Sequence, residues 1–140
     1  MSATESNSTD VQQRILLEVA YEAVENAGIP KEKLAGTGTS VYIGSFVKDY
    51  EQVSMRDAQY LAADCATGNG IAIMSNRISY FFDIHGPSMT IDTGCSASLI
   101  CIHQAVQSLL SGESSMVSQP SLTRLATSDE HPRQWPVVQG

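Results

Sequence analysis

Apolar side chains recur at Ile15, Leu16, Val19, Ala20, Ala23, Val24 and Ala27, a spacing that lays them along one face of a helix. Glu18, Glu22 and Glu25 fall off that face and read as its solvated side. Thr9 or Asp10 can cap this helix, with Gln12 or Gln13 completing a capping box. Gly28 followed by Pro30 predicts its end. After a polar connector from Lys31 to Thr39, the β-branched and aromatic run Val41 to Val47 predicts a buried strand. Lys48 to Ala66 is mixed and predicts a loop with a short helix. Thr67-Gly68-Asn69-Gly70 and His85-Gly86-Pro87-Ser88 carry turn chemistry. Between them, Ile71, Met74, Ile78 and Phe82 mark a second helix over 71–82. A short strand, Met89 to Asp92, then leads into a third helix from about Ser96 to Leu110, closed by Gly112. Leu99, Ile102, Val106 and Leu109 or Leu110 are its expected inward positions. Helices alternating with short buried strands predict an α/β architecture.

The two ends carry no such pattern. Residues 1–9 are rich in Ser, Thr and Asn and read as a flexible lead-in. Ser118 to Gly140 holds three of the five prolines and the single tryptophan, with no periodicity at 2 or 3.6. It reads as a disordered tail that departs from the fold, which leaves 10–117 as the structured unit.

Composition narrows the function classes. Of 140 residues, 42% are apolar and 16% charged, the profile of a globular chain. A formal charge of −7 argues against binding nucleic acid, which concentrates Lys and Arg to displace counterions. No apolar run approaches the length of a bilayer span, and the polar amino terminus does not resemble a signal peptide. Three cysteines make an odd and small set, which points to a reducing compartment and a cytoplasmic location.

One stretch carries chemistry: Ile91-Asp92-Thr93-Gly94-Cys95-Ser96-Ala97-Ser98-Leu99. A strand ends, a tight turn of small residues follows with Cys95 at its apex, and a long helix begins at once. This is the strand–turn–helix layout of a nucleophile elbow. Free N–H groups and the macrodipole at the helix start favour a thiolate, and the same amides can hold an oxyanion. A lone cysteine is more often simply packed beneath a helix start, so the elbow needs support from the rest of the chain. No histidine supplies it as a base. His103 is eight residues beyond Cys95 on the same helix, roughly 12 Å along the axis. His85 lies before the strand, and His131 lies in the tail. Cys101 and His103 are two apart on a helix and Cys65 is isolated, so no metal site is expected. Thr67-Gly68-Asn69-Gly70 lacks the Gly-Lys-Ser/Thr ending of a phosphate loop. Asp92 reads as a hydrogen-bonding residue that shapes the turn. A cysteine hydrolase is disfavoured, because the glycines two before and two after the nucleophile are missing.

Support comes from resemblance. Asp92-Thr93-Gly94-Cys95-Ser96-Ala97-Ser98-Leu99 resembles the Asp-Thr-Ala-Cys-Ser-Ser-Ser-Leu signature of β-ketoacyl synthases. Gln12-Gln13-Arg14-Ile15-Leu16-Leu17-Glu18 is similar to their Gln-Gln-Arg-Leu-Leu-Leu-Glu helix. Asn76-Arg77-Ile78-Ser79-Tyr80-Phe81-Phe82-Asp83, with Gly86-Pro87-Ser88, resembles the segment ahead of the nucleophile, and Ser111-Gly112-Glu113 the end of the nucleophile helix. The wording is most similar to the ketosynthase domains of fungal iterative type I polyketide synthases, over about residues 10–117.

The resemblance implies a partial thiolase-like fold with an incomplete first half. It implies decarboxylative Claisen condensation of acyl and malonyl thioesters, with Cys95 as the nucleophile and its amide in the oxyanion hole. No cofactor is bound directly; substrates ride on the phosphopantetheine of an acyl carrier protein. Partners are that carrier protein and other ketosynthase chains, since the family is dimeric, with no nucleic acid and no membrane. Gly94 stands where the family has Ala and Ala97 where it has Ser, both small. The family's opening strand is missing ahead of Asp10, and its later two histidines and lysine have no counterpart here. The expected activity is therefore the acyl-accepting half of a ketosynthase. The rival expectation is a truncated or mis-spliced remnant without catalysis, at most a partner of other ketosynthase chains.

Overall fold

The strand at the centre, β1 (Ser40–Gly44), is buried at every residue. The computed structural model describes residues 3–56, 65–118 and 138–139. In chain order β1 follows α1 (Ala3–Ser8), α2 (Val11–Asn26) and α3 (Lys31–Leu34). Then come α4 (Asp49–Ser54), α5 (Cys65–Asn69), α6 (Ile71–Phe82), β2 (Ser88–Ile91), a 3₁₀ turn at Gly94–Ser96 and α7 (Ala97–Leu110). β3 (Met116–Ser118) and β4 (Val138–Gln139) complete the sheet, whose order is β2-β1-β3-β4. β1 runs parallel to both neighbours, with Val41 opposite Ser88, Gly44 opposite Ile91, and Ser40 opposite Val117. β3 and β4 are antiparallel.

This order sends helices to both faces. The chain leaves β1 in one direction to reach β2 through α6, then returns past β1 to β3 through α7. Parallel crossovers are right-handed, so reversing direction along the sheet places the second helix on the opposite face. Alternation along β1 matches. Val41 and Ile43 pack with Leu16, Ala20, Met74, Ile78 and Phe82 of α2 and α6. Tyr42 packs with Cys101 and Ala105 of α7 and Val117 of β3. Each large aliphatic or aromatic side chain buried this way stabilises the fold by about 1.5–3 kcal/mol.

The helix ends follow local chemistry. The Asp10 carboxylate accepts from the Gln12 N–H at 2.8 Å and caps α2. At its other end Gly28 takes φ +68°, Gly28 N–H donates to Glu25 O, and Ile29 N–H donates to Val24 O. That is a Schellman closure, and it brings Val24 and Ile29 together against the core. α6 closes in the same way, with Asp83 in the left-handed region at φ 54° and Ile84 N–H donating to Ser79 O.

Several expectations need correction. Residues 3–8, expected as a flexible lead-in, form α1; Glu5 of that helix pairs with Arg77 at 2.9 Å. Arg77 also donates to Gln13 Oε1 at 3.0 Å and to the Thr67 carbonyl at 3.3 Å, so one guanidinium ties α1, α2, α5 and α6 together. The polar connector contains α3, and Thr67 to Asn69 complete α5 rather than a turn. The strand ends at Gly44, leaving Phe46 and Val47 outside it.

The largest correction concerns α7. Ala97, Cys101, Ala105 and Ser108 are its buried residues, whereas Leu99 is 66% exposed, Ile102 47%, Val106 43% and Leu110 77%. Small side chains face β1 because the helix approaches the sheet too closely for large ones. Of the four inward positions expected, only Leu109 packs against this core. Most of the expected tail, 119–137 and 140, lies outside the described residues, while Val138 and Gln139 pair with β3.

Candidate active site

Cys95 stands beyond the carboxyl end of β2, where the chain turns from the strand into α7. β2 is an outer strand of the described sheet, beside β1, so the turn lies at the carboxyl end of the parallel pair. The turn is held by its own side chains. Gly94 adopts φ +60°, and its N–H donates to Asp92 Oδ1 at 3.2 Å. The Ser96 hydroxyl donates to the Thr93 carbonyl at 2.9 Å and lies 3.1 Å from the Thr93 hydroxyl. Asp92 thus does what its place in the sequence suggests, while the Thr93–Ser96 clasp is legible only from the structure. An L side chain at residue 94 would be strained in this conformation, so glycine is well suited there.

The result is an exposed Cys95 on a 3₁₀ turn directly preceding the 14-residue helix α7. Cys101, about one turn into that helix, is the opposite kind of thiol. It is fully buried beneath β1, and desolvation raises its pKa to about 11. The Cys65 side chain lies outside the described residues.

Gly44 sets the height of the elbow. A Cβ there would lie 3.0 Å from the carbonyl carbon and Cβ of Ala97 and from the Ser98 amide nitrogen. The end of β1 and the start of α7 therefore touch backbone to backbone. Sequence reasoning placed Gly44 inside a strand and missed this contact; a glycine interrupting a β-branched run was the available signal.

Among the described residues, His85 and His103 do not join Cys95. His85 precedes β2 and pairs with Asp83 at 3.3 Å, so the strand separates it from the elbow by about 13 Å. His103 is exposed and lies two turns along α7. Among the described residues, no group of three His, Cys, Asp or Glu side chains gathers to hold a metal ion. Among the same residues, no helix is long and apolar enough to cross a membrane.

The described residues thus form an α/β unit with an exposed thiol on a strand–turn–helix elbow. The family model described as "Beta-ketoacyl synthase, N-terminal domain" matches residues 1–118. The chain belongs to the β-ketoacyl synthase family, and what it contains is that family's N-terminal domain. It is 55% identical over 116 residues to lovastatin nonaketide synthase mokA of Monascus pilosus, covering 83% of this chain and 4% of that protein. It is 52% identical over 109 residues to the highly reducing polyketide synthase PKS6 of Gibberella zeae, covering 78% of this chain and 4% of the other. Among solved structures, the oxazolomycin ketosynthase domain OzmH KS7 of Streptomyces albus superimposes with a TM-score of 0.75 at 33% identity. That match covers 84% of this chain and 20% of the other. The ketosynthase from module 6 of the Bacillus subtilis bacillaene synthase gives 0.73 at 32% identity, covering 84% and 19%. The chain thus spans a small part of the curated relatives and about a fifth of the solved ketosynthase chains. These neighbours agree with a partial thiolase-like fold, to which the small parallel sheet and its two helical layers belong.

Proposed function

We propose that this chain is the acyl-accepting part of a polyketide synthase ketosynthase, with Cys95 as the nucleophile. The observation that carries this reading is the exposed thiol on the clasped turn between β2 and α7. The Cys95 thiolate attacks the carbonyl of an acyl group carried on the phosphopantetheine of an acyl carrier protein. A bond forms between Sγ and the carbonyl carbon, the bond to the carrier sulfur breaks, and the carrier leaves as a thiol after protonation. The Cys95 N–H supports the oxyanion of the tetrahedral intermediate. A malonyl thioester on carrier protein then loses carbon dioxide, and its enolate displaces Cys95 from the acyl carbon to give the ketoacyl product.

Residues 10–117 form the working domain in this reading, with acyl carrier protein and other ketosynthase chains as partners. The separation of His85 and His103 from the elbow favours a second statement. This chain by itself takes up an acyl group but does not condense it. Decarboxylation and enolate stabilisation need groups beside Cys95 that neither histidine can supply, and parts of a catalytic unit act together rather than additively.

The test offers an acyl thioester and malonyl-carrier protein to the chain, then measures acyl-Cys95 by peptide mass and ketoacyl product separately. Acylation at Cys95 without product is expected. Acylation that persists in Cys95→Ala overturns the assignment of the nucleophile. Product lost on Cys95→Ala overturns the second statement.

A further inference from the structure

Gln12 reaches from the first turn of α2 to the segment that leaves β1. Its side-chain amide donates to the Val47 carbonyl at 3.2 Å, and its Oε1 accepts from the Ser45 hydroxyl at 3.3 Å. The same amide donates to Asp10 Oδ2 at 3.2 Å. Asp10 is itself buried, and its N–H donates to the Gly68 carbonyl at 2.9 Å. A chain of contacts therefore runs from α5 through the α2 cap to residues 45–47. This contact spans more than thirty positions in sequence; cap geometry alone does not require it.

Ser45, the first of these residues, is bonded to the strand that leads into the elbow. The Ser45 N–H donates to the carbonyl of Ile91, the last residue of β2, at 3.2 Å. Along β1, Tyr42 faces α7 and Gly44 meets Ala97. Phe46 and Val47 follow directly in the segment that leaves the strand beyond Gly44. Phe46 is 49% exposed and Val47 36%, so core packing does not hold them. The segment is held at its ends instead, Ser45 bonding Ile91 and Gln12 and the Val47 carbonyl accepting from Gln12.

We infer that Gln12 is a positioning residue that latches the Ser45–Val47 segment as a fixed wall beside Cys95 and so sets how bulky an acyl group can approach. The inference rests on Cys95 being the acyl acceptor. Without the latch the wall loosens, and bulky apolar reagents gain on small ones.

The experiment uses the full chain and two cysteine reagents, N-ethylmaleimide and N-octylmaleimide, with Cys95 labelling followed by peptide mass. The readout is the ratio of octyl to ethyl rates, which a uniform loss of stability does not move. Gln12→Met keeps the side-chain length and removes all three side-chain contacts. It is expected to raise the ratio about three- to tenfold, the rate equivalent of one hydrogen bond's net worth. Ser45→Ala removes one contact from the other side, raises the ratio about twofold, and carries the test if Gln12→Met fails to fold. Arg77→Met, which loosens the α1–α2–α5–α6 tie, leaves the ratio at the parent value. An unchanged or lowered ratio in the folded Gln12 and Ser45 variants overturns the latch. So does an equal rise in Arg77→Met, or a parent Cys95 that neither reagent labels. Acyl transfer to Cys95 is measured in parallel. Its absence with the ratio shift intact sinks the functional reading while leaving the latch in place.

Discussion

Limiting alkylation tests the elbow most directly, because two thiols on adjoining turns of one segment are placed in opposite environments. Cys101 is fully buried with its pKa raised to about 11, so at pH 7 about one molecule in ten thousand carries the thiolate. An ordinary free cysteine with a pKa of ~8.5 carries about 3%. Ionisation alone therefore makes Cys101 about 300-fold slower than an ordinary thiol, before counting the local opening needed to expose it. Cys95 is exposed on the turn that starts α7, so a reagent reaches it without local opening. It should outpace Cys101 by at least two orders of magnitude. The assay is brief treatment with substoichiometric iodoacetamide at pH 7, quenching, and peptide mapping, repeated in denaturant where the cysteines should level. Equal labelling of Cys95 and Cys101 in the folded chain would refute the placement of both. Labelling of Cys95 far slower than in denaturant would refute its exposure alone.

Three further outcomes follow from the packing. Cys101 has a folded-state pKa raised by burial, so its protonated form stabilises the fold fully below the unfolded pKa. That contribution, about 2–3 kcal/mol, is lost as pH rises from about 9 to about 11. The urea midpoint should fall over this range, and Cys101→Ala should flatten the fall. Gly44→Ala places a Cβ 3.0 Å from Ala97 and Ser98, which must push the start of α7 away. A cost of about 1–3 kcal/mol in chemical denaturation is expected, together with a changed Cys95 labelling rate; no change in either would refute the close contact. The stripe of Leu99, Ile102, Val106 and Leu110 exposes apolar surface along α7, so the chain should bind a hydrophobic dye and self-associate. Leu99→Gln with Leu110→Gln should lower both in dye titration and sedimentation without lowering thermal stability, and a loss of stability would show that the stripe is buried.

What the sequence determined by itself is what local chemistry controls. Asp10 capping α2, Gly28 closing it, the Met74–Ile78–Phe82 face of α6 and the turn at Cys95 each arise from residues within one or two turns of each other. The small residues around Cys95 and the flanking motifs were enough to identify the family. Tertiary structure decided what depends on distant partners. Apolar periodicity on α7 cannot tell a face that packs from one that does not. The sheet chose Ala97, Cys101 and Ala105 because α7 lies against Gly44 and Tyr42, where only small side chains fit. Residues 3–8 form a helix whose Glu5 finds its charged partner in Arg77, more than seventy positions away, a contact that no local pattern shows. Gln12, read as part of a capping box, also holds residues 45 and 47, a role visible only once β1 brings that segment to the start of α2.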